Sequence, residues 1–542
     1  MIDFAHISAL IVEANPNMRT QLRNMLNASG ISKVDFAVSA SAAVRKLRDS
    51  KPELILSEYH LGDGQDGQHL LEDLRTHHII SLSTLFIMVT GERHSERVLG
   101  ACELAPNDYI LKPFTADTLH DRIARALEKR IALLPTHKLI EMGNISDAIA
   151  SSQQGEERYP HWALDFIRLR AELHLHSGNA QEAHKIYQQI IKARNLPWAR
   201  LGLAKAEYFL RRYDTATQQL ETLIAENERF IDAYDWLARS RQAAGNLEGA
   251  HVALKTAAQL SPHRLLRLRQ LGELSMETGD TAGAEKVLGE VVRKGKSSDF
   301  RDPEDHVRLI QAQLAQGSTP QAEQTLRDLE RSMGGLDKTK ACSQLSNVLL
   351  HVSKGDLTKA VAAIEALTGE QKNTSGLSLG LKQELARACF NAQMEDKGAE
   401  VIMDILRNAP DERAVEDAKN LLKDIGKGEL GESMAQKIQE EVRSLVAEGA
   451  QKAQDGDLEG AVKFMLVAVE RMPGNLSVLF NAALAILKFL EASQWNAPLA
   501  QQVRDLMDKA RDIDPGNERL SALTTYYDRL LKKYHVQPRA QG

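Results

Sequence analysis

IDAYDWLARSRQAAGNLEGAHVALKTAAQLSPHR runs from Ile231 to Arg264, and LLRLRQLGELSMETGDTAGAEKVLGEVVRKGKSS continues without a gap from Leu265 to Ser298. The blocks are 34 residues each and align position by position. Leu237-Ala238 matches Leu271-Gly272, and Gly245-Asn246 matches Gly279-Asp280. Ala250 matches Ala284, Leu254 matches Leu288, and Ala257 matches Val291. Each block reads as helix, Gly-polar turn, helix. Small residues at frame positions 8 and 20 let the two helices approach, and a large apolar residue at position 24 fills the seam. One such pair cannot bury its apolar face alone, so neighbouring pairs must stack.

The period and pattern resemble the tetratricopeptide repeat, TPR. The frame recurs on both sides. Ala171, Ala183 and Tyr187 mark a repeat from near Leu164, and Leu201-Gly202, Ala216 and Leu220 mark the next. Later marks are Gly317 and Ala322, Gly355 and Ala360, Leu385-Ala386 (with no turn glycine), and Gly456 and Ala461. Ala414 to Ile438 reads as helical but off frame, broken at Gly426-Lys-Gly and Gly431. A last helix with Leu520, Leu523, Tyr527, Leu530 and Leu531 reads as a cap. About eight or nine pairs are expected.

The first 130 residues have a different rhythm. Short apolar runs at Ser8–Val12, Lys33–Ala37, Glu53–Ser57, Leu85–Val89 and Tyr109–Leu111 alternate with amphipathic stretches. That alternation predicts a doubly wound parallel sheet, with chemistry at the carboxyl ends of its strands. The residues there are Glu13, Glu58, Thr90 and Lys112. The predicted helices include His69–Thr76 and Ala116–Leu134, the latter broken by Pro135. Lys138–Ser151 is predicted helical again, and residues 153–157 form a polar loop. His77-His78 reads as a bare pair in a loop. The expected architecture is an α/β doubly wound domain with a five-stranded parallel sheet, then an all-α TPR superhelix. Expected boundaries are 1–130, a helical connector 131–160, an array 161–412, an irregular helical break 413–440 and C-terminal repeats with a cap 441–542.

Four motifs carry a second resemblance: Glu13-Ala-Asn-Pro-x-x-Arg19, Pro52 to Glu58 running on to Asp66-Gly67, Val89-Thr90-Gly91, and Asp108-Tyr109-x-x-Lys112-Pro113-Phe114. Together they resemble a response-regulator receiver domain, and the whole chain resembles bacterial TPR-containing response regulators. The resemblance implies an acidic pair holding magnesium after the first strand and a phosphoacceptor aspartate after the third. It further implies a Thr or Ser sensing the phosphate (Thr90), a mobile aromatic (Tyr109) and a pairing lysine (Lys112). The sequence departs from this at two places. The acidic pair is Glu13-Ala14, so one ligand is a methyl group and magnesium is expected to bind only weakly at Glu13. The acceptor position is Glu58, one methylene too long for the expected in-line geometry, and about 1 Å of misplacement can cost ~100-fold. The expectation is a pseudo-receiver, unphosphorylated and held in one state. Glu58 either mimics the phosphorylated state by reaching towards Lys112 and Thr90 or is a neutral substitution on a fold kept for packing. A working phosphoacceptor remains the third reading. Asp63 and Asp66 read as turn residues.

The resemblance to TPR arrays places a partner groove on the first-helix face. Its candidates are Asp232, Asp235, Arg239, Arg269, Met276, Val307, Leu345 and Leu349, set against simple burial within the array. Arg264, Arg267 and Arg269 read as a solvated basic edge. The net charge of −6 gives no case for nucleic acid or an anionic membrane. No apolar run reaches about 18 residues, no leader is read, and three scattered cysteines suit a reducing compartment. The expectation is a cytoplasmic, non-enzymatic adaptor or scaffold with a protein partner and no resident cofactor. Set against it are a phospho-switched regulator and a structural subunit that forms a homodimer through the receiver.

Overall fold

In the computed structural model the described residues are 4–62, 66–91, 106–262, 264–296, 298, 300–335, 337–369, 374 and 376–536. They form two compact units: residues 4–174 with 180–305, and residues 175–179 with 306–536.

The first unit begins with a five-stranded parallel sheet in the order β2-β1-β3-β4-β5. The strands are β1 Ser8–Val12, β2 Lys33–Ala37, β3 Leu54–Glu58, β4 Leu85–Thr90 and β5 Asp108–Leu111. Side chains alternate across the pleat, so one strand feeds two cores. Leu10, Val12, Ile55, Phe86 and Met88 point to helices α2 (Ala40–Asp49) and α3 (Gly67–Thr76). Ala9, Ile11, Leu54, Leu56, Ile87 and Val89 point to α1 (Pro16–Ala28) and α4 (Ala116–Glu141). Burial on both faces explains why β3 and β4 read as unbroken apolar runs.

Helix α4 corrects the expected break at Pro135. It continues through the proline to Glu141 and turns at Gly143, whose φ is 73°. Its first half buries Leu119, Ile123 and Leu127 against the sheet. Its second half buries Ala132 and Leu133 against Phe166. Packing at both ends outweighs the one backbone hydrogen bond that a proline removes. Helix α5, Ile145–Arg158, then runs back along α4, so the expected polar loop at 153–157 is helical instead. Asn144 caps α5, and Ala148 occupies the place that Ala250 holds in the opening block. The connector is itself a helix pair, and α4 belongs to both the sheet domain and the array.

Further pairs come next: α6 Ala163–His176 with α7 Ala180–Ala193, α8 Pro197–Phe209 with α9 Tyr213–Glu226, α10 Ile231–Ala243 with α11 Leu247–Leu260, and α12 Leu265–Glu277 with α13 Thr281–Gly295. Asn246 and Asp280 cap their helices through the amides of Gly249 and Gly283, at 2.8 and 2.9 Å. A cap of this type contributes roughly 1 kcal/mol.

In the second unit the pairs are α14 Glu304–Ala315 with α15 Thr319–Met333, α16 Asp337–Ser353 with α17 Leu357–Thr368, and α18 Leu379–Asn391 with α19 Glu395–Arg407. After these the chain forms α20 Glu412–Asp424, α21 Gly428–Gln454, α22 Leu458–Arg471, α23 Leu476–Ala492, α24 Ala497–Ile513 and α25 Glu518–Lys533. The expected disruption at Gly431 is absent: α21 runs unbroken past it to Gln454, and Gly431 lies buried. Helix α21 pairs with α20 at one end and leads into α22 at the other. In the turn before α19, Gln393 takes the left-handed conformation (φ 60°) that glycine holds elsewhere.

Candidate functional site

The carboxyl ends of β1, β3, β4 and β5 meet at one edge of the sheet. Glu13 follows β1, and its carboxylate is nearly buried. Its Oε1 accepts from the Asn15 amide at 2.9 Å. Asn15 caps α1 by accepting from the amides of Asn17 and Met18, and Arg19 donates to the carbonyls of Glu13 and Ala14 at 2.7 and 2.8 Å. The loop is thereby fixed from three sides.

Glu58 is the last residue of β3, at the carboxyl end where the sequence places it. Its Oε1 accepts from the backbone amide of Tyr59 at 2.7 Å and from that of His60 at 3.3 Å. Its Oε2 meets the Lys112 ammonium. The same ammonium lies 3.2 Å from Glu13 Oε2. Lys112 itself is set by its backbone amide, which donates to the Thr90 carbonyl at 2.8 Å, and it precedes a cis proline, Pro113. One cation thus joins two carboxylates in a largely buried place, where charge-assisted hydrogen bonds are at their strongest.

Thr90 is buried at the end of β4. Tyr109 packs half-buried against the core formed with α3. Asp66 caps α3, its Oδ1 accepting from the His69 amide at 2.8 Å, which fits the turn reading. Asp63 lies outside the described residues.

These residues do not fit a magnesium ion. The ion prefers octahedral oxygen ligands at about 2.1 Å and few carboxylates. Ala14 brings a methyl group where a second acid would stand, and the oxygens of Glu13 and Glu58 that face each other already hold Lys112. Elsewhere, among the described residues, no group of three or more His, Cys, Asp or Glu is arranged to hold a metal. Cys342 and Cys389 are buried, and burial pushes the Cys389 thiol up to about 12.

The predicted groove residues divide. Asp235 is not open to a partner: it is 5% exposed and paired to Arg267 through two 2.7 Å hydrogen bonds. Asp232, Val307 and Leu345 are buried as well. They correct the groove expectation, because first-helix positions here pack onto the neighbouring pair. Arg239 stays half-exposed over the Trp236 ring at 4.7 Å, and Met276 and Leu349 are half-buried. Arg269 is tied to Asp305 by two 2.8 Å hydrogen bonds. The expected solvated basic edge is therefore also corrected. Arg267 is 2% exposed, and Arg264 joins it on Asp235 at 3.1 Å.

Residues 9–124 match the response regulator receiver domain family. The chemotaxis protein CheY-3 of Vibrio cholerae is 26% identical over 124 residues, covering 23% of this chain and 94% of that protein. The KDP operon transcriptional regulatory protein KdpE of Escherichia coli is 26% identical over 227 residues, covering 41% of this chain and 94% of that protein. A solved tetratricopeptide repeat protein from Parabacteroides merdae aligns with 49% of this chain and 98% of its own, at 12% identity and a TM-score of 0.32. In the described residues no helix is long and apolar enough to cross a membrane. Residues 9–124 are thus a response regulator receiver domain, and the helical remainder is built mostly of helix pairs, several of them on the 34-residue frame that resembles the tetratricopeptide repeat.

Proposed function

We propose that the chain is a signalling adaptor: a pseudo-receiver held in one state, joined to a repeat array that binds partner proteins. The observation that carries this reading is the bridge of Lys112 between Glu58 and Glu13. A phosphoryl group arriving at Glu58 must displace the Lys112 ammonium from the carboxylate that it would modify. Stripping a partner from a largely buried charge costs several kcal/mol. No adequate magnesium site compensates. The longer Glu58 side chain instead delivers its own negative oxygen to the lysine, which is the contact a phosphoryl oxygen would make. The switch is thereby satisfied without chemistry, and output passes through proteins held by the array.

The test is incubation of the full chain with magnesium and acetyl phosphate, or with beryllofluoride, read by intact mass and by fluorine resonance. The wild type is expected to stay unmodified. The double variant Glu58→Asp, Ala14→Asp is expected to acquire an adduct in the same buffer. A stoichiometric acyl phosphate on the wild type would end the pseudo-receiver reading.

A further inference from the structure

Helix α3 of the receiver has neighbours on two sides. One side packs on the sheet. The other meets the segment after α13. Ser298 Oγ donates to Asp73 Oδ2 at 3.0 Å, although 225 residues separate them. The Phe300 ring lies flat on His77, with centroids 3.9 Å apart and planes 9° from parallel. Phe300 also packs against the core cluster that holds Leu70, Leu71 and Leu74. The Ser298 backbone N–H donates to the Gly295 carbonyl and its hydroxyl oxygen accepts from the Phe300 amide, so residues 298 and 300 act as one strap.

Charge lines the same seam. Helix α3 presents Glu72 and Asp73, and the start of α12 presents Arg264, Arg267 and Arg269. Arg264 and Arg267 act on the Glu72 carboxyl, and Arg269 acts on Asp73 and His77. Arg269 is at frame position 5 of its block, on the first-helix face that would line a partner groove.

We propose that the receiver is a tethered ligand of its own array, with α3 seated on the Arg264–Arg269 ridge and the strap, and that a partner's acidic amphipathic helix competes for the same seat. The identity of the competitor rests on the adaptor reading; the seat itself does not. The complementarity of the seam selects that chemistry: two adjacent acidic side chains beside a flat ring, against a phenyl group and three guanidiniums that share only two carboxylates of the array, Asp235 and Asp305. Tethering gives α3 an effective concentration on the order of millimolar, so a free helix must bind well to displace it.

The experiment uses the full chain. In Asp73→Cys, Ser298→Cys, mild oxidation is expected to give one intrachain disulfide in the monomer, mapped by mass spectrometry, with melting unchanged in the reduced form. Cross-links between chains only, or none while both thiols remain reactive, would overturn the seat. A second measurement covers the case in which this variant misfolds. In Phe300→Ala, amide exchange in residues 67–76 is expected to rise about 10-fold, as loss of ~1.4 kcal/mol predicts, and unchanged exchange would overturn the seat. A labelled peptide with the sequence of residues 66–79 is then titrated onto the reduced and onto the oxidised double variant. At least 10-fold tighter binding to the former is expected, and equal binding would overturn the competition. Failure of the cross-link leaves the adaptor reading standing, whereas a sound cross-link with no protein partner for any form would remove the adaptor reading alone.

Discussion

Burial lifts the Glu72 carboxyl from its ordinary value of 4.5 up to about 7, opposed by Arg264 and Arg267 and assisted by Asp66 and Asp73. The folded chain therefore keeps this proton longer than the unfolded chain. Stability linked to Glu72 is complete below about 4.5 and is lost as pH rises towards 7. Glu72→Gln removes that loss. The variant should melt a few degrees above the wild type at pH 8 and level with it at pH 4; melting below the wild type at pH 8 would mean that the arginines dominate. The four receiver motifs already mark Glu13, Glu58, Thr90 and Lys112, since strand ends announce themselves by an apolar run and then a polar residue. The sharing of Lys112 by both carboxylates was not legible, because the partners lie 99 and 54 residues apart. Nor was the burial of Arg267: its partner Asp235 lies 32 residues back, on the neighbouring pair, so the arginine looks like any solvated helix charge.

Among the elements, the turn glycines and the small frame residues were the most legible signals, because each answers a local steric demand. Gly202 shows the demand plainly: a Cβ there would come within 2.3 Å of the Tyr187 ring. Tyr187 is buried and cannot swing away. Gly202→Val is therefore expected to destabilise the first unit by about 1–3 kcal/mol, read as a lower midpoint in urea, and an unchanged midpoint would show that α7 and α8 can separate freely. Pro135 and Gly431 were misleading for the opposite reason. Their rules are local, but the continuity of α4 and α21 is decided by the residues that pack along them. Leu127 lies under the sheet and Leu133 under Phe166, and no rule about the intervening proline reports either contact. Gly426, in contrast, does turn the chain, with φ 76°, and the segment around it is an ordinary helix pair.

Across the whole chain, the division into sheet domain and repeat array was legible from the change in rhythm, from short apolar runs alternating with helical stretches to the 34-residue helical frame. Their fusion through one helix was not. The sequence of α4 satisfies two cores in turn, and its far end is clamped: Glu141 accepts from the Ser81 hydroxyl and the Leu82 amide, while Arg130 donates to the Ser83 carbonyl at 2.7 Å. Lys129 pairs with Asp165 of α6. Brief trypsin digestion of the native chain should therefore release no receiver fragment ending between residues 122 and 138, despite five basic residues there. Early appearance of such a fragment would contradict a continuous, clamped α4. The shared helix also acts as a phase setting. Each residue inserted between Leu127 and Leu133 would advance the downstream helix pairs by about 1.5 Å and rotate them by roughly 100° about the helix axis. Point substitutions in α4 leave that angle alone, whereas a single-residue insertion or deletion rewrites it. Exchange of receivers between chains of this design is thus constrained by an integer, the count of residues in one helix, more tightly than by the chemistry of any surface.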